Sequence, residues 1–232
     1  MVKSVQHDDN ENGAFDTLIV TVLDCSGSMS NLVNDVIGNY NWFISEQKKF
    51  GRAKVSLYRF DTEYEAIYEN KDIFKVAKLT NKDYFARGAT ALLDAVGRTI
   101  RAVDALDDKP SKIIIAINTD GYENSSHEYN LKQIKELVSE RTDNHDWQFV
   151  FLGAGIDKFG AEAMNFNPGS TLTFAASAAG MSIGTHSYSS SVTGYRTGAT
   201  ASVDLTNGTV PDVISTVETE KKRRKKTTSP TP

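Results

Sequence analysis

The sequence contains very little cysteine, proline or tryptophan, and it has no long apolar run. Of its 232 residues, one is cysteine, five are proline and two are tryptophan. A single cysteine excludes an internal disulfide. No apolar run approaches the roughly 20 residues that a membrane-spanning helix needs, and the amino terminus lacks the apolar segment of a secretory signal. We therefore expect a protein without a membrane span that is located in the cytoplasm.

The charges are unevenly distributed along the chain. Six of the 26 lysines and arginines form the run from Lys221 to Lys226, so the remaining 20 are outnumbered by 30 acidic residues. We expect a disordered leader at 1–13, a folded domain at 14–203 and a basic, disordered tail at 204–232. Such a tail favours weak, sequence-independent contact with nucleic acid or another polyanion; a purely solvated terminus is the alternative.

The apolar pattern predicts strands and helices in alternation. Runs rich in apolar residues predict strands at 15–23, 53–60, 63–68, 112–118, 147–152 and 170–174. Apolar residues at helical spacing predict helices at 30–49, 92–106, 131–138, 157–164 and 175–200. The S-x-x-E pattern of Ser125 and Glu128 predicts a capping box before the third of these helices.

This order of elements predicts an α/β fold with a mostly parallel sheet and helices on both faces. Strands that alternate with helices are joined by right-handed crossovers. The short strand at 63–68 is the expected exception, antiparallel and at the sheet edge. Ligands of such sheets bind at the carboxyl ends of the strands. Asp24 and Asp120 each follow a predicted central strand, so we expect both carboxylates at one edge.

Hydroxyl side chains accompany these carboxylates. Ser26 and Ser28 follow Asp24 at alternate positions, and Thr90 lies just before a predicted helix. Taken singly, each hydroxyl is adequately explained as a turn or helix-capping residue. Taken together, the five side chains offer the oxygen ligands that a hard divalent cation prefers. Neutral hydroxyls leave the charge of such a cation largely uncancelled, so it can still attract a ligand from outside.

The same residues carry a resemblance to a known family. The sequence resembles von Willebrand factor type A (vWA) domains that have a metal-ion-dependent adhesion site. The D-x-S-x-S motif of that family matches Asp24, Ser26 and Ser28 in "DCSGS". Its threonine matches Thr90 in "GATALLDA", and its second aspartate matches Asp120 in "NTDG". The segments "FLGAGIDKFGAEAMNF" and "TGYRTG" resemble the bacterial and phage branch of the family.

The resemblance implies a Rossmann-like, doubly wound sheet and a magnesium site, with manganese as the alternative ion. It implies that Ser26, Ser28 and Thr90 bind the metal directly and that Asp24 and Asp120 act through water. The implied function is a non-enzymatic binding module whose metal takes an acidic side chain of a protein partner. Two other functions stay open: a metal-dependent hydrolase or phosphotransferase, and a phage or nucleoprotein assembly protein that uses the basic tail.

Three further residues lie within the motif or next to its residues. Cys25 lies within it, but no histidine or arginine constellation accompanies it, so we expect a small buried residue rather than a nucleophile. Arg87 and Tyr122 are adjacent in sequence to Thr90 and Asp120, and we expect them at the rim of the site.

Overall fold

The computed structural model describes residues 16–206, apart from the side chain of Phe159. Its strands are β1 (Thr17–Asp24), β2 (Lys54–Phe60), β3 (Tyr64–Asp72), β4 (Lys112–Thr119), β5 (Gln148–Ala154) and β6 (Thr171–Phe174). Its helices are α1 (Val33–Lys48), α2 (Leu92–Asp104), α3 (Leu131–His145), α4 (Phe159–Ala163) and α5 (Ala178–Arg196). Each predicted strand and helix is therefore present in the structure, with adjusted ends.

The six strands form one sheet in the order β3-β2-β1-β4-β5-β6. Every neighbouring pair is parallel except β2 and β3, which are antiparallel. Helices α1 and α5 pack on one face of the sheet, while α2, α3 and α4 pack on the other. The structure thus confirms the predicted α/β, Rossmann-like architecture with one antiparallel edge strand.

The central strand β1 explains where polar residues can be placed. All eight of its residues are buried, because β2 and β4 flank it and helices cover both faces. Burying one Val, Leu or Ile side chain contributes about 1.5–3 kcal/mol, which fixes the strand firmly. Since β1 ends at Asp24 and the parallel strand β4 ends at Thr119, the loops that follow them lie at the same edge of the sheet.

Three local predictions need correction. The first helix begins with a 3-10 turn, Gly27–Leu32, before α1. Strand β3 runs to Asp72, beyond the predicted end at 68, because register shifts opposite Val55 and Leu57 let the pairing continue. The capping box of α3 is not formed by Ser125 and Glu128: the pair is Asn130 and Gln133, directly before the helix.

The ends of the chain are only partly described. None of the helices between residues 16 and 206 is long and apolar enough to cross a bilayer. Leu205, which falls in the predicted tail, is buried, and its backbone N–H donates to the carbonyl of Gly169 at 2.7 Å. The predicted leader at 1–13 and the basic run from Lys221 to Lys226 lie outside the described residues. Their roles, like the cytoplasmic location, stay predictions.

Candidate metal site

Asp24 is the buried centre of the edge formed by β1 and β4. It is completely shielded from solvent. One carboxylate oxygen, Oδ1, accepts from the backbone N–H of Ser26 at 2.7 Å, and the other, Oδ2, accepts from Thr119 Oγ1 at 2.5 Å. Burial raises the pKa of Asp24 from 3.8 to about 6, although these hydrogen bonds lower it, and the charge of Asp120 adds to the rise. This carboxylate is therefore held in place while burial disfavours its charge.

The hydroxyls of two serines connect the loop after β1 with the loop after β4. Ser26 Oγ and Ser28 Oγ are 3.1 Å apart, and Ser28 Oγ donates to Asp120 Oδ1 at 2.5 Å. Ser26 is buried, Asp120 is half-buried and Ser28 is exposed. Burial raises the pKa of Asp120 as well, while its bond with Ser28 lowers it. The loops after β1 and β4 therefore present three oxygen-bearing side chains at the boundary between the core and the solvent.

Thr90, in the loop before α2, adds a third hydroxyl to this group. Its side chain is buried, and its Oγ1 has no hydrogen-bond partner among residues 16–206. A Cβ placed on Gly121 would lie 2.8 Å from Thr90 Oγ1 and 3.5 Å from Asp24 Oδ2. The hydroxyl and the carboxylate therefore both lie close to Gly121, where a side chain would collide with Thr90.

Backbone hydrogen bonds hold the loop before α2 against the loop after β1. Gly27 N–H donates to the carbonyl of Gly88 at 3.0 Å, and Arg87 N–H donates to the carbonyl of Cys25 at 2.6 Å. Gly88 has a φ of +63°, and a Cβ there would lie 2.9 Å from Asp61 Oδ2. Both its left-handed backbone and its close approach to Asp61 require glycine at this position.

The neighbours of the motif have specific places. Arg87, predicted at the rim, donates to Asp61 Oδ2 at 2.6 Å and to Glu65 Oε2 at 2.7 Å, so its charge is balanced within the protein. Tyr122 is 55% exposed. Cys25 is completely buried, and burial, with the charges of Asp61 and Asp24, raises the pKa of its thiol to about 12. A thiol in this state is a poor nucleophile.

The donors present fit a hard, oxygen-binding cation better than a softer metal such as zinc or copper. Residues 16–206 contain no cluster of three or more His, Cys, Asp or Glu side chains arranged to hold a metal. Three of the five side chains gathered here are hydroxyls, and the other two are carboxylates. Magnesium and manganese prefer oxygen ligands and keep several waters when bound. The structure thus brings together all five predicted residues, in a form suited to such an ion.

Sequence reasoning missed several residues that organise this edge. Two of them had a visible signal: Thr119, the donor to Asp24, lies in "NTDG", and Asp94 lies in "GATALLDA". Asn124 contacts the backbone of Thr90. Asp94 accepts from three consecutive backbone N–H groups of the loop before α3. Glu123 accepts from Leu93 N–H at the start of α2. No sequence signal indicated these long-range contacts.

The fold is that of vWA-like proteins. No protein-family model matches the sequence, and no curated protein is detectably similar to it. Solved structures do share its fold, and the chain spans less than two thirds of the length of each of those described here.

Three solved structures illustrate this likeness. A von Willebrand factor type A protein from Catenulispora acidiphila has a TM-score of 0.54 at 14% identity, covering 78% of this chain and 43% of its own. A D319A mutant of the PilB minor pilin from Streptococcus sanguinis has a TM-score of 0.61 at 12% identity, covering 83% and 65%. The ArnB paralog VWA2 from Sulfolobus acidocaldarius has a TM-score of 0.51 at 13% identity, covering 78% and 45%. At these identities the likeness establishes the fold alone.

Proposed function

We propose that the protein is a metal-dependent binding module. In this proposal Ser26, Ser28 and Thr90 bind Mg²⁺, or alternatively Mn²⁺, and Asp24 and Asp120 orient water molecules around it. The carrying observation is the convergence of oxygens from three separate loops on one small space, with the Thr90 hydroxyl unpartnered within the described part of the chain. The metal would supply a positive centre that attracts an acidic side chain of a protein partner.

The electrostatics of Asp24 support a cation at this place. Its pKa is raised chiefly by burial, and no positively charged side chain is among the largest influences on that pKa. Arg87, the nearby cation described above, is instead engaged with Asp61 and Glu65. A buried carboxylate without a countercharge is costly. A divalent cation bound in front of it would remove that cost.

The state of the thiol at the site argues against nucleophilic catalysis by a cysteine. Cys25 is buried and its pKa is raised to about 12, so it is not an activated nucleophile. We therefore propose a non-enzymatic role, consistent with a minor pilin and a pilus adhesin among structures of the same fold. The bacterial and phage branch indicated by the sequence stays part of this proposal.

Metal binding is tested directly by calorimetry with MnCl₂ and MgCl₂ on the full chain. We expect saturable binding to one site, which Ser26→Ala and Thr90→Ala abolish or weaken by about 100-fold. Ser30→Ala is the matched control, because its hydroxyl donates to the carbonyl of Gly27 and contacts none of the five site residues. Absence of binding at millimolar metal, or equal loss in Ser30→Ala, would contradict the proposal.

Partner chemistry is tested by selecting random displayed peptides on the immobilised protein in Mg²⁺ and eluting them with EDTA. We expect the eluted peptides to share an aspartate or glutamate whose replacement by the amide abolishes binding. The Thr90→Ala protein should retain none of them. Peptides without a common acidic residue, or equally bound by Thr90→Ala, would count against a metal–carboxylate contact.

A further inference from the structure

Asn124 makes hydrogen bonds to both backbone groups of Thr90, its N–H and its carbonyl. Its side-chain Oδ1 accepts from Thr90 N–H at 2.9 Å, and its own backbone N–H donates to the Thr90 carbonyl at 3.0 Å. The two residues lie 34 positions apart in the sequence. Two hydrogen bonds to one residue fix both its position and its orientation, so Thr90 cannot move independently of the loop that follows Asp120.

No other hydrogen bond within the described residues is made by Thr90 itself. Its side chain has no hydrogen-bond partner, and α2 is preceded by Ala91, which provides no side-chain cap. The neighbouring contacts act on other residues: Gly88 accepts from Gly27, and Ala91 donates to the carbonyl of Asp61. The placement of the Thr90 hydroxyl therefore depends on the clamp made by Asn124.

The loop that carries Asn124 is itself anchored to α2. Glu123 accepts from Leu93 N–H at 2.8 Å and from the N–H groups of Ser125 and Ser126 at 2.9 and 2.8 Å. Asp94, in the first turn of α2, accepts from the N–H groups of residues 127, 128 and 129 at 2.8–2.9 Å. Because both ends of the loop are held, Asn124 acts from a fixed support rather than from a mobile segment.

We propose that Asn124 is a positioning residue that presents the Thr90 hydroxyl to a divalent cation. This inference rests on the proposed function, since it needs the metal to bind. It assigns to Asn124 an effect on metal affinity that passes through Thr90 and is separate from any effect on folding. Outer contacts of this kind commonly change metal affinity by about 10–100-fold.

The test measures Mn²⁺ affinity of the full chain by calorimetry, with unfolding in EDTA followed separately. We expect Asn124→Ala to weaken Mn²⁺ binding by about tenfold. Asn124→Asp, which keeps the Oδ1 acceptor, should stay within about threefold of the wild type or bind more tightly. In a Thr90→Ala background, adding Asn124→Ala should cause no further loss, because the two residues would act as one unit.

Asn130→Ala is the matched control in the same loop. Asn130 Oδ1 accepts from Gln133 N–H at 3.1 Å and caps α3, so its loss should lower the melting temperature in EDTA while leaving Mn²⁺ affinity unchanged. If the wild type binds no Mn²⁺, the proposed function fails and this inference falls with it. If the wild type binds and Asn124→Ala binds equally, only this inference is overturned. A loss in Asn124→Asp beyond tenfold, or an additive loss in the double variant, also overturns it alone.

Discussion

The raised pKa of Asp24 leads to a prediction that reverses the usual expectation for a buried polar substitution. Replacing Asp24 by Asn should stabilise the metal-free protein at neutral pH while abolishing its response to metal. The amide keeps an acceptor for the N–H of Ser26, which lies 2.7 Å from Asp24 Oδ1. Thr119 Oγ1 can turn to donate to the carbonyl of Gly121, 3.2 Å away. The substitution therefore removes a buried charge without leaving its neighbours unpaired.

The magnitude follows from linkage between protonation and folding. Burial raises the pKa of Asp24 from 3.8 to about 6 in the folded protein, so the folded state holds this proton more tightly than the unfolded state. Stability therefore falls as pH rises between about 4 and 6, and the full deficit persists above that window. A shift of about two pKa units corresponds to about 3 kcal/mol. Below about pH 4 the difference should vanish.

Urea unfolding followed by circular dichroism measures this effect. In metal-free buffer at pH 7.5, we expect the Asp24→Asn variant to be about 1–3 kcal/mol more stable than the wild type, and the two to converge at pH 4. Adding Mn²⁺ at about 100 times its dissociation constant should stabilise the wild type by about 2.7 kcal/mol and the variant not at all. Asp143→Asn, at an exposed position, should stay within about 0.5 kcal/mol. A metal-free variant less stable than the wild type at pH 7.5 would refute the reasoning.

Three other substitutions test separate parts of the structure. Arg196 is buried and donates to the carbonyls of Gln47 and Gly51 at 2.7 and 3.0 Å; Arg196→Ala should lower the free energy of unfolding by about 3 kcal/mol in urea titrations, and a neutral effect would contradict this. Gly121→Ala places a Cβ 2.8 Å from Thr90 Oγ1, so this hydroxyl must shift and Mn²⁺ affinity measured by calorimetry should fall at least about tenfold; unchanged affinity would contradict this. Asp94→Ala leaves three backbone N–H groups unpaired, and hydrogen exchange at residues 127–129 should accelerate; unchanged exchange would show that the loop is held elsewhere.

The parts of the fold that were predictable are those in which burial dominates. The segment that forms β1 is a nearly continuous apolar run, because a central parallel strand is covered on both faces, and this pattern is visible in the sequence alone. Helix α5 was predicted from spaced apolar residues in a stretch rich in Ser, Gly and Ala, and Met181, Tyr188, Val192 and Tyr195 are indeed buried there.

The parts that were missed depend on contacts between distant residues. The S-x-x-E pattern at Ser125 and Glu128 satisfies the local rule for a capping box, as does the pair Asn130 and Gln133. Tertiary contacts decide between them: the N–H of Ser125 is taken by Glu123, and the N–H of Glu128 is taken by Asp94. The clamp of Asn124 on Thr90 is likewise invisible in sequence, because neither residue breaks a local pattern.

The candidate site occupies the positions where this chain departs from what folding alone would favour. Asp24 ends a buried strand with a carboxylate that is completely shielded from solvent, Thr90 has a hydroxyl that makes no hydrogen bond within residues 16–206, and Gly121 lies too close to this hydroxyl to be replaced by a larger residue without a shift. Each feature reduces stability or forgoes a stabilising contact, and all three meet at one edge of the sheet. Destabilising features that lie together in space are expected where a ligand binds and compensates for them. A divalent cation would resolve the first two at once, since it would neutralise the carboxylate and bind the hydroxyl.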